Sequence, residues 1–330
     1  MSVKISSENF IKAEKRASQL DLHISEALKP FASENGDIEL LNARKVLQLV
    51  KPRPENSHKG SFGRLVLISG SDRFPGAAQI AALSALRSGV GLVTVISTKA
   101  ACAALSVNAK EATLLPVGSD SRGFISASSE EKEDIAETVS KASALLIGPG
   151  LGTAPGCLDV LKIAIKKSRC PIILDADGIN LVSNRIEFLR RAEAGLILTP
   201  HPAELSRLCG AALEDVLEDR PRYARLAAQK TGGVVVSKSA ATLIAAKGRL
   251  LLSARGNNAL AKGGSGDFLA GLIASFAAQG YSPTAAAAIG VTVQGLCCEE
   301  VSKRFSKRSV IAQDLIDCLP ELFKKIERLI

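Results

Sequence analysis

Short, almost unbroken apolar runs recur beyond residue 51, each followed by a glycine or polar turn and then by an alanine- and leucine-rich stretch. Strands that do not alternate apolar with polar residues are buried on both faces, as in a parallel sheet covered by helices. The pattern therefore predicts an α/β fold with a mostly parallel central sheet. The predicted strands are residues 65–68, 92–96, 144–147, 172–174, 196–198 and 234–236.

Two further patterns refine this prediction. Residues 242–246 and 249–253 flank Lys247-Gly248, which predicts a hairpin added at the edge of the sheet. The apolar run at residues 268–276 predicts a buried helix. The charge-free stretch that contains it, residues 268–298, is broken at residues 279–283, so it predicts two buried helices and a turn rather than a membrane span.

The first fifty residues have a different, amphipathic pattern typical of helices, and Pro52 and Pro54 end it. Its apolar positions are Phe10, Ile11, Ala17, Leu20, Leu22, Ile24, Leu40, Leu41 and Val46. This segment is too short for a second enzyme domain of ordinary size. We therefore expect residues 1–50 to form a helical arm or lid that packs on one main domain, residues 51–330.

The amino-acid composition limits the kinds of ligand that the chain is expected to bind. The 330 residues are 46% hydrophobic and carry 42 Lys+Arg against 33 Asp+Glu, a net charge of +9, which favours anionic ligands. With 4% aromatic residues, no Trp and scattered basic residues, no stacking surface for nucleic acid is indicated, so a small phosphorylated ligand is the simpler match. Seven cysteines without a Cys-x-x-Cys pair indicate reduced thiols in the cytoplasm, and the charged N-terminus predicts no export.

Candidate chemistry lies where the predicted strands end, because ligands of open α/β sheets bind at the carboxyl ends of the strands. The strand at 144–147 is followed by Gly-Pro-Gly-Leu-Gly at residues 148–152, a loop open to a bulky ligand or simply a tight turn. After residue 174 come Asp175 and Asp177. In an extended segment, these side chains share a face and would meet a hydrated Mg²⁺; a cap and turn at Asp177 is the alternative.

Two other strand ends carry polar residues. His201 lies between Pro200 and Pro202 and precedes Glu204, and the stiff backbone indicates that His201 contacts a ligand. Lys238 begins a segment with hydroxyls that suits a nucleotide phosphate or ribose, although lysines at strand ends are usually only solvated.

Gly264-Ser265-Gly266-Asp267 opens the predicted buried helix. Glycines at a helix N-terminus let unpaired backbone N–H groups close around a phosphate. Asp267 would repel that phosphate, so its carboxylate makes sense as the base that takes a proton from an attacking hydroxyl. Ordinary helix capping by Asp267 is the alternative.

Taken together, these motifs resemble those of NAD(P)H-hydrate dehydratases, which belong to the ribokinase-like superfamily. The motifs occur in the family's order over residues 47–320, at residues 58–63, 70–71, 76–77, 87–93, 148–152, 175–177, 199–204 and 264–267. The resemblance implies a three-layer αβα sandwich. It also implies a lyase of metabolite repair, which phosphorylates the ring hydroxyl of hydrated NADH or NADPH from a nucleotide and lets phosphate leave, giving AMP from ADP.

The resemblance also assigns roles to residues. Ala77, Gly152, His201 and Asp267 would contact the hydrated dinucleotide, with Asp267 as the base. The nucleotide would be held by Lys238, Ser239, Ala240, Ala241, Thr242, Gly264, Ser265 and Gly266. Glu204, together with Asp175, would have an indirect role in binding Mg²⁺. ADP is the first choice of nucleotide and ATP the second, family members are commonly homotetramers, and epimerisation of the hydrate would need a separate protein.

Two other functions compete with this one. A ribokinase-like kinase acting on a small alcohol would keep the fold and leave the phosphoryl group on its product. A nucleotide-binding regulator without activity is suggested by Ser239, where the family pattern usually has glycine, because a side chain there crowds close backbone approach. The dehydratase is favoured by the loops at 148–152 and 199–202, and Asp267 argues against the regulator.

Overall fold

The computed structural model describes residues 3–19, 23–29, 36–192 and 194–328; Leu20 and Leu22 of the N-terminal helical pattern lie outside them. Eleven strands are found in these residues. Numbered along the chain, they are β1 Lys4–Ile5, β2 Ile38–Leu40, β3 Arg64–Ile68, β4 Leu92–Thr98, β5 Thr113–Val117, β6 Ala144–Ile147, β7 Ile172–Leu174, β8 Leu196–Leu198, β9 Val234–Ser237, β10 Thr242–Ala246 and β11 Arg249–Ser253. They form one sheet in the order β1-β2-β11-β10-β9-β8-β7-β6-β3-β4-β5.

Fourteen α-helices accompany the strands in the same residues. They are α1 Ser7–Gln19, α2 Ile24–Leu28, α3 Ala43–Leu47, α4 Pro75–Arg87, α5 Lys99–Asn108, α6 Ser129–Ser140, α7 Pro155–Lys167, α8 Asp177–Val182, α9 Pro202–Cys209, α10 Leu213–Glu218, α11 Arg220–Thr231, α12 Ser265–Ala278, α13 Pro283–Arg304 and α14 Ala312–Glu327. No helix of the described part of the chain combines the length and apolar character that crossing a membrane requires. The predicted pair of buried helices is present as α12 and α13.

Helices cover both faces of the sheet, which makes the fold a three-layer αβα sandwich, as the sequence predicts. Along β3, Leu65 and Leu67 join the hydrophobic core shared with α4, α12, α13 and α14. Val66 and Ile68 point the other way, into the core shared with α1, α6, α7, α9 and α11. From β9 through β8, β7, β6, β3 and β4 to β5, adjacent strands pair in parallel. The apolar runs of the central strands β3, β6, β7 and β8 are buried on both faces.

The hairpin of β10 and β11 joins the sheet through antiparallel pairing of β10 with β9. Its turn has Lys247 at φ 46° and Gly248 at φ 76°, the left-handed backbone that a two-residue hairpin needs. Contrary to expectation, the hairpin is not at the edge of the sheet, because β2 pairs in parallel with β11 and β1 pairs with β2.

The N-terminal segment is therefore not wholly helical: it contributes two strands to the sheet as well as α1, α2 and α3. Its apolar residues Ile5, Phe10, Ala13 and Ile38 are fully buried in the same core as the helices of the main body. The division into an arm of residues 1–50 and a domain of residues 51–330 stays a prediction.

The order of the strands defines where a ligand would bind. From β3 the chain proceeds to β4 and β5 on one side, and from β6 it proceeds to β7, β8 and β9 on the other. At such a reversal, the connections that follow the two central strands pass to opposite faces of the sheet and leave a crevice. Here the loop after β3 leads to α4 in one helical layer, and the loop after β6 leads to α7 in the other.

Candidate active site

Asp267 lies in the first turn of α12, at the carboxyl ends of the strands. The helix begins after Gly264, which has φ 90° and ψ −18°, and no side chain caps it. The capping alternative for Asp267 is therefore not realised. Burial raises the pKa of the Asp267 carboxyl to about 7, the Asp175 carboxylate adds to the rise, and the Lys238 ammonium opposes it. A carboxylate with a pKa near neutrality suits general base catalysis.

Lys238 and Asp175 form a buried ion pair beneath this turn. Lys238 Nζ donates to Asp175 Oδ1 at 2.7 Å, and Thr199 Oγ1 donates to the same oxygen at 2.6 Å. The two charged side chains are 19% and 2% exposed, so Lys238 is not merely a solvated lysine. Burial lowers the pKa of Lys238, but the Asp175 and Glu204 carboxylates outweigh it, and that pKa lies above its ordinary value.

Gly266 brings the helix turn close to this pair. A Cβ added at Gly266 would lie 3.3 Å from Lys238 Nζ and 3.9 Å from Asp175 Oδ2. The ammonium therefore lies against the backbone of the first turn of α12, whose N–H groups lack intrahelical partners. Positive charge and backbone donors converge at the position where the sequence predicts a phosphate.

His201 and Glu204 begin α9 and form a reciprocal cap. His201 Nδ1 accepts from the backbone N–H of Ala203 at 3.1 Å, and the His201 backbone N–H donates to Glu204 Oε2 at 2.8 Å. Burial and then the Lys238 charge lower the pKa of His201, which favours the neutral imidazole. Burial raises the pKa of Glu204 to about 7 against the pull of Lys238. Capping explains the position of His201; its contact with a ligand stays a prediction.

Asp175 and Asp177 do not share a face as expected. Ala176 between them has φ 48° and ψ −117°, so the segment is not extended. Asp177 instead braces the neighbouring loop, since its Oδ2 accepts from the Gly152 backbone N–H at 2.8 Å. The expectation that both carboxylates face one Mg²⁺ from an extended segment is wrong in its geometry.

Gly152 and Ala77 lie on the two sides of the crevice. Gly152 has φ 83°, and a Cβ there would lie 2.3 Å from the Phe124 ring. In the same loop, a Cβ at Gly150 would lie 2.8 Å from the Cβ of Ala77 at the start of α4. The loop after β6 therefore packs closely on α4, and glycine is required there by packing whether or not a ligand binds.

A residue that the sequence analysis did not single out holds the predicted nucleotide-binding segment after β9 by a hydrogen bond. Ser239 and Ala240 are exposed, whereas Ala241 is buried and its carbonyl accepts from Arg220 Nη2 at 2.7 Å. Arg220 is one of 42 basic residues, and no motif surrounds it. Only the tertiary structure shows that it lies under this segment.

The acidic residues do not form a protein cage for a metal ion. Within residues 3–19, 23–29, 36–192 and 194–328, no group of three or more His, Cys, Asp or Glu side chains is placed to hold one. Asp175 Oδ1 is already shared by Lys238 and Thr199. Asp175 and Glu204 therefore suit an ion that keeps its waters and is bound mainly by phosphates.

A separate surface groove of about 430 Å³ lies between α4, α5 and α14 and contains none of the predicted site residues. Its lining is Gln79, Leu83, Arg87, Asn108, Gln313, Ile316 and Asp317. The chemistry is thus concentrated at the strand ends rather than in this groove.

The three-layer fold and the site at the N-terminus of α12 define a protein of the ribokinase-like class. An Enterococcus faecalis protein of the ribokinase-like superfamily superimposes with a TM-score of 0.75 at 29% identity, over 87% of this chain and 95% of that one. A Bacillus subtilis ADP/ATP-dependent NAD(P)H-hydrate dehydratase, co-crystallised with ATP and Mg²⁺, gives a TM-score of 0.73 at 29% identity over 86% of this chain and 97% of that one.

Sequence comparison gives the family. The NAD(P)H-hydrate dehydratase family model matches residues 65–321, and the chain belongs to that family. A bifunctional NAD(P)H-hydrate repair enzyme of Moorella thermoacetica is 31% identical over 91% of this chain and 56% of its own length. An Arabidopsis thaliana ATP-dependent (S)-NAD(P)H-hydrate dehydratase is 30% identical over 86% of this chain and 85% of its own length. The chain spans about half the length of the bifunctional relatives. The resemblance seen in the motifs is confirmed.

Proposed function

We propose that this chain dehydrates hydrated NADH and NADPH at the expense of a nucleotide phosphoryl group. The proposal depends on one observation. At the N-terminus of α12, beside backbone donors and the Lys238 ammonium, burial raises the pKa of the Asp267 carboxyl to about 7. Family membership supports the choice of substrate. The names of the Arabidopsis and Bacillus relatives, which specify dehydration of NAD(P)H hydrate with ATP or ADP, support the nucleotide requirement.

The reaction divides into two steps. In the first, Asp267 takes the proton of the ring hydroxyl, whose oxygen forms a bond to the terminal phosphorus while the bond from that phosphorus to the remaining nucleotide breaks. Backbone N–H groups of Gly264 to Gly266 and the Lys238 ammonium stabilise the charge on the transferring phosphoryl group. In the second step, the ring carbon–oxygen bond breaks, phosphate leaves with the bonding pair, and a neighbouring carbon loses a proton to restore the ring double bond.

In this proposal, residues around the crevice contact either the hydrated dinucleotide or the nucleotide. Ala77, Gly152 and His201 contact the hydrated dinucleotide, and the small residues at the first two positions leave room for it. Ser239 to Thr242 contact the nucleotide, with ADP as the first choice and ATP as the second. Mg²⁺ would neutralise phosphate charge, and Asp175 and Glu204 would orient its water ligands rather than replace them.

The test is to incubate the protein with hydrated NADH and Mg²⁺ in the presence of ADP, of ATP or of neither. We expect the absorbance of reduced nicotinamide to return only with a nucleotide, together with one free phosphate per NADH formed. A small-molecule kinase would instead leave the phosphoryl group on a stable product. Nucleotide binding without any return of absorbance would reject the dehydratase and favour the regulator.

Two further properties are proposed, the first on the resemblance and the second on the cysteines. The protein is a homotetramer, which light scattering of the purified chain tests directly. It acts in the cytoplasm, in line with the cysteines of the described residues, which are all free thiols.

A further inference from the structure

Arg220 at the start of α11 is a buried arginine, with a side chain that is 2% exposed. Its guanidinium holds the ends of the segment between β9 and β10. Nη1 donates to the Ser237 carbonyl at 3.2 Å and to Ser237 Oγ at 3.3 Å, and Nη2 donates to the Ala241 carbonyl at 2.7 Å. One side chain therefore fixes both ends of the loop that contains Lys238, Ser239 and Ala240.

The counter-charge of this arginine comes from the N-terminal segment. Glu14 Oε1 of α1 accepts from Arg220 Nη2 at 2.6 Å, and the Phe10 ring lies 5.6 Å from the guanidinium carbon. Glu14 is 21% exposed and is the acidic residue that forms an ion pair with Arg220 among the described residues. A buried charge is tolerated only when it is paired and hydrogen-bonded, so the loop geometry depends on α1.

A second contact joins the same segment to the chain that precedes α12. His23 Nε2, just before α2, makes a hydrogen bond with the Gly256 carbonyl. Gly256 precedes the short 3₁₀ helix Asn258–Leu260, which leads into Gly264 and α12. The N-terminal segment thus reaches the loop after β9 through Arg220 and contacts the backbone that leads to α12 at Gly256.

We propose that the N-terminal segment positions the nucleotide-binding loop, with Glu14 as a positioning residue that acts through Arg220. This inference rests on the proposed function for the identity of the ligand, but not for the geometry. Glu14 contacts no reacting group. Its carboxylate holds the guanidinium in the orientation that presents Lys238 and the exposed residues Ser239 and Ala240.

The kinetic test compares Glu14→Gln with Asp37→Asn in the full chain. Asp37 is a control for general disturbance of the N-terminal segment, because it pairs with Arg225 of α11 and accepts from the Ser7 backbone N–H and Oγ at the start of α1, without touching the loop. We expect Glu14→Gln to raise the KM for ADP or ATP about tenfold, with kcat and the KM for hydrated NADH changed less than about twofold. Asp37→Asn should leave all three near wild type. Equal effects of the two substitutions, or a change in kcat alone, would overturn the proposal.

Hydrogen exchange provides a test that needs no activity. In the ligand-free Glu14→Ala variant, amides of residues 238–242 should exchange about tenfold faster than in the wild type, while those of β3 and β6 keep their protection. Unchanged exchange in the loop, or loss of protection throughout the chain, would overturn the proposal. If the wild type lacks dehydratase activity but the loop loses protection in this variant, the proposed function fails while the positioning role stands.

Discussion

Replacing Asp267 with asparagine should stabilise the folded protein at pH 8 while removing the base. The pKa of the Asp267 carboxyl is about 7 in the folded chain, against an ordinary value of 3.8. The folded state therefore binds this proton more tightly than the unfolded state, so stability is full at low pH and is lost as pH rises through about 7. Asparagine has a similar shape, cannot ionise and escapes this loss.

The size of the effect follows from the pKa difference. At 1.36 kcal/mol per pH unit, ionising Asp267 costs about 4 kcal/mol, and solvent that reaches the half-buried carboxylate lowers this to about 2–3 kcal/mol. The gain from Asp267→Asn should be near its maximum at pH 8, about two-fifths of it at pH 5 and close to zero at pH 3.5.

Urea unfolding of both proteins between pH 5 and pH 8 measures this difference directly. Asp120→Asn is a control of opposite sign, because hydrogen bonding from the Phe124 backbone N–H lowers the pKa of Asp120, and the substitution should weaken the fold at pH 8. A gain for Asp267→Asn that does not grow with pH, or a loss of stability at pH 8, would refute the raised pKa.

The other predictions concern the elements around Asp267. Asp175→Asn leaves the Lys238 ammonium without its direct partner, so chemical denaturation should show a loss of about 3–5 kcal/mol, and a loss below about 1 kcal/mol would contradict the buried pair. Gly152→Ala adds a Cβ 2.3 Å from the Phe124 ring at φ 83°, so it should lower the stability of the fold more than Gly232→Ala, where φ is 69° and nothing lies within 4 Å. The backbone strain that both variants share costs about 1–2 kcal/mol. Equal melting temperatures for the two variants would contradict the clash.

The central strands were predictable because each is a short apolar run buried on both faces. The runs at 144–147, 172–174 and 196–198 coincide with β6, β7 and β8. Strand β5 was missed, since Pro116 interrupts its pattern; the structure accommodates this proline because β5 is the last strand of the sheet. The two N-terminal strands were missed for another reason: β1 has only two residues, Lys4 and Ile5, and Glu39 interrupts the three residues of β2, so neither forms an apolar run.

The candidate site, like the fold, could be predicted only in part from the sequence. Glycine turns and strand ends indicate where the backbone presents polar groups, which is why the sequence analysis singled out Asp267, Lys238 and Asp175. Contacts between distant parts of the chain leave no local signal. The bond from Glu14 to Arg220 joins residues 206 positions apart, and nothing in either neighbourhood indicates it. The alignment of Asp175 and Asp177 was mispredicted because the left-handed backbone at Ala176 is not one that an alanine usually adopts.

The most direct test of the account is the turnover of hydrated NADH by Asp267→Asn, measured beside its affinity for ADP or ATP. If Asp267 is the base, kcat falls by about 10²–10⁴-fold while the nucleotide dissociation constant stays near that of the wild type. Wild-type turnover in this variant would contradict the account.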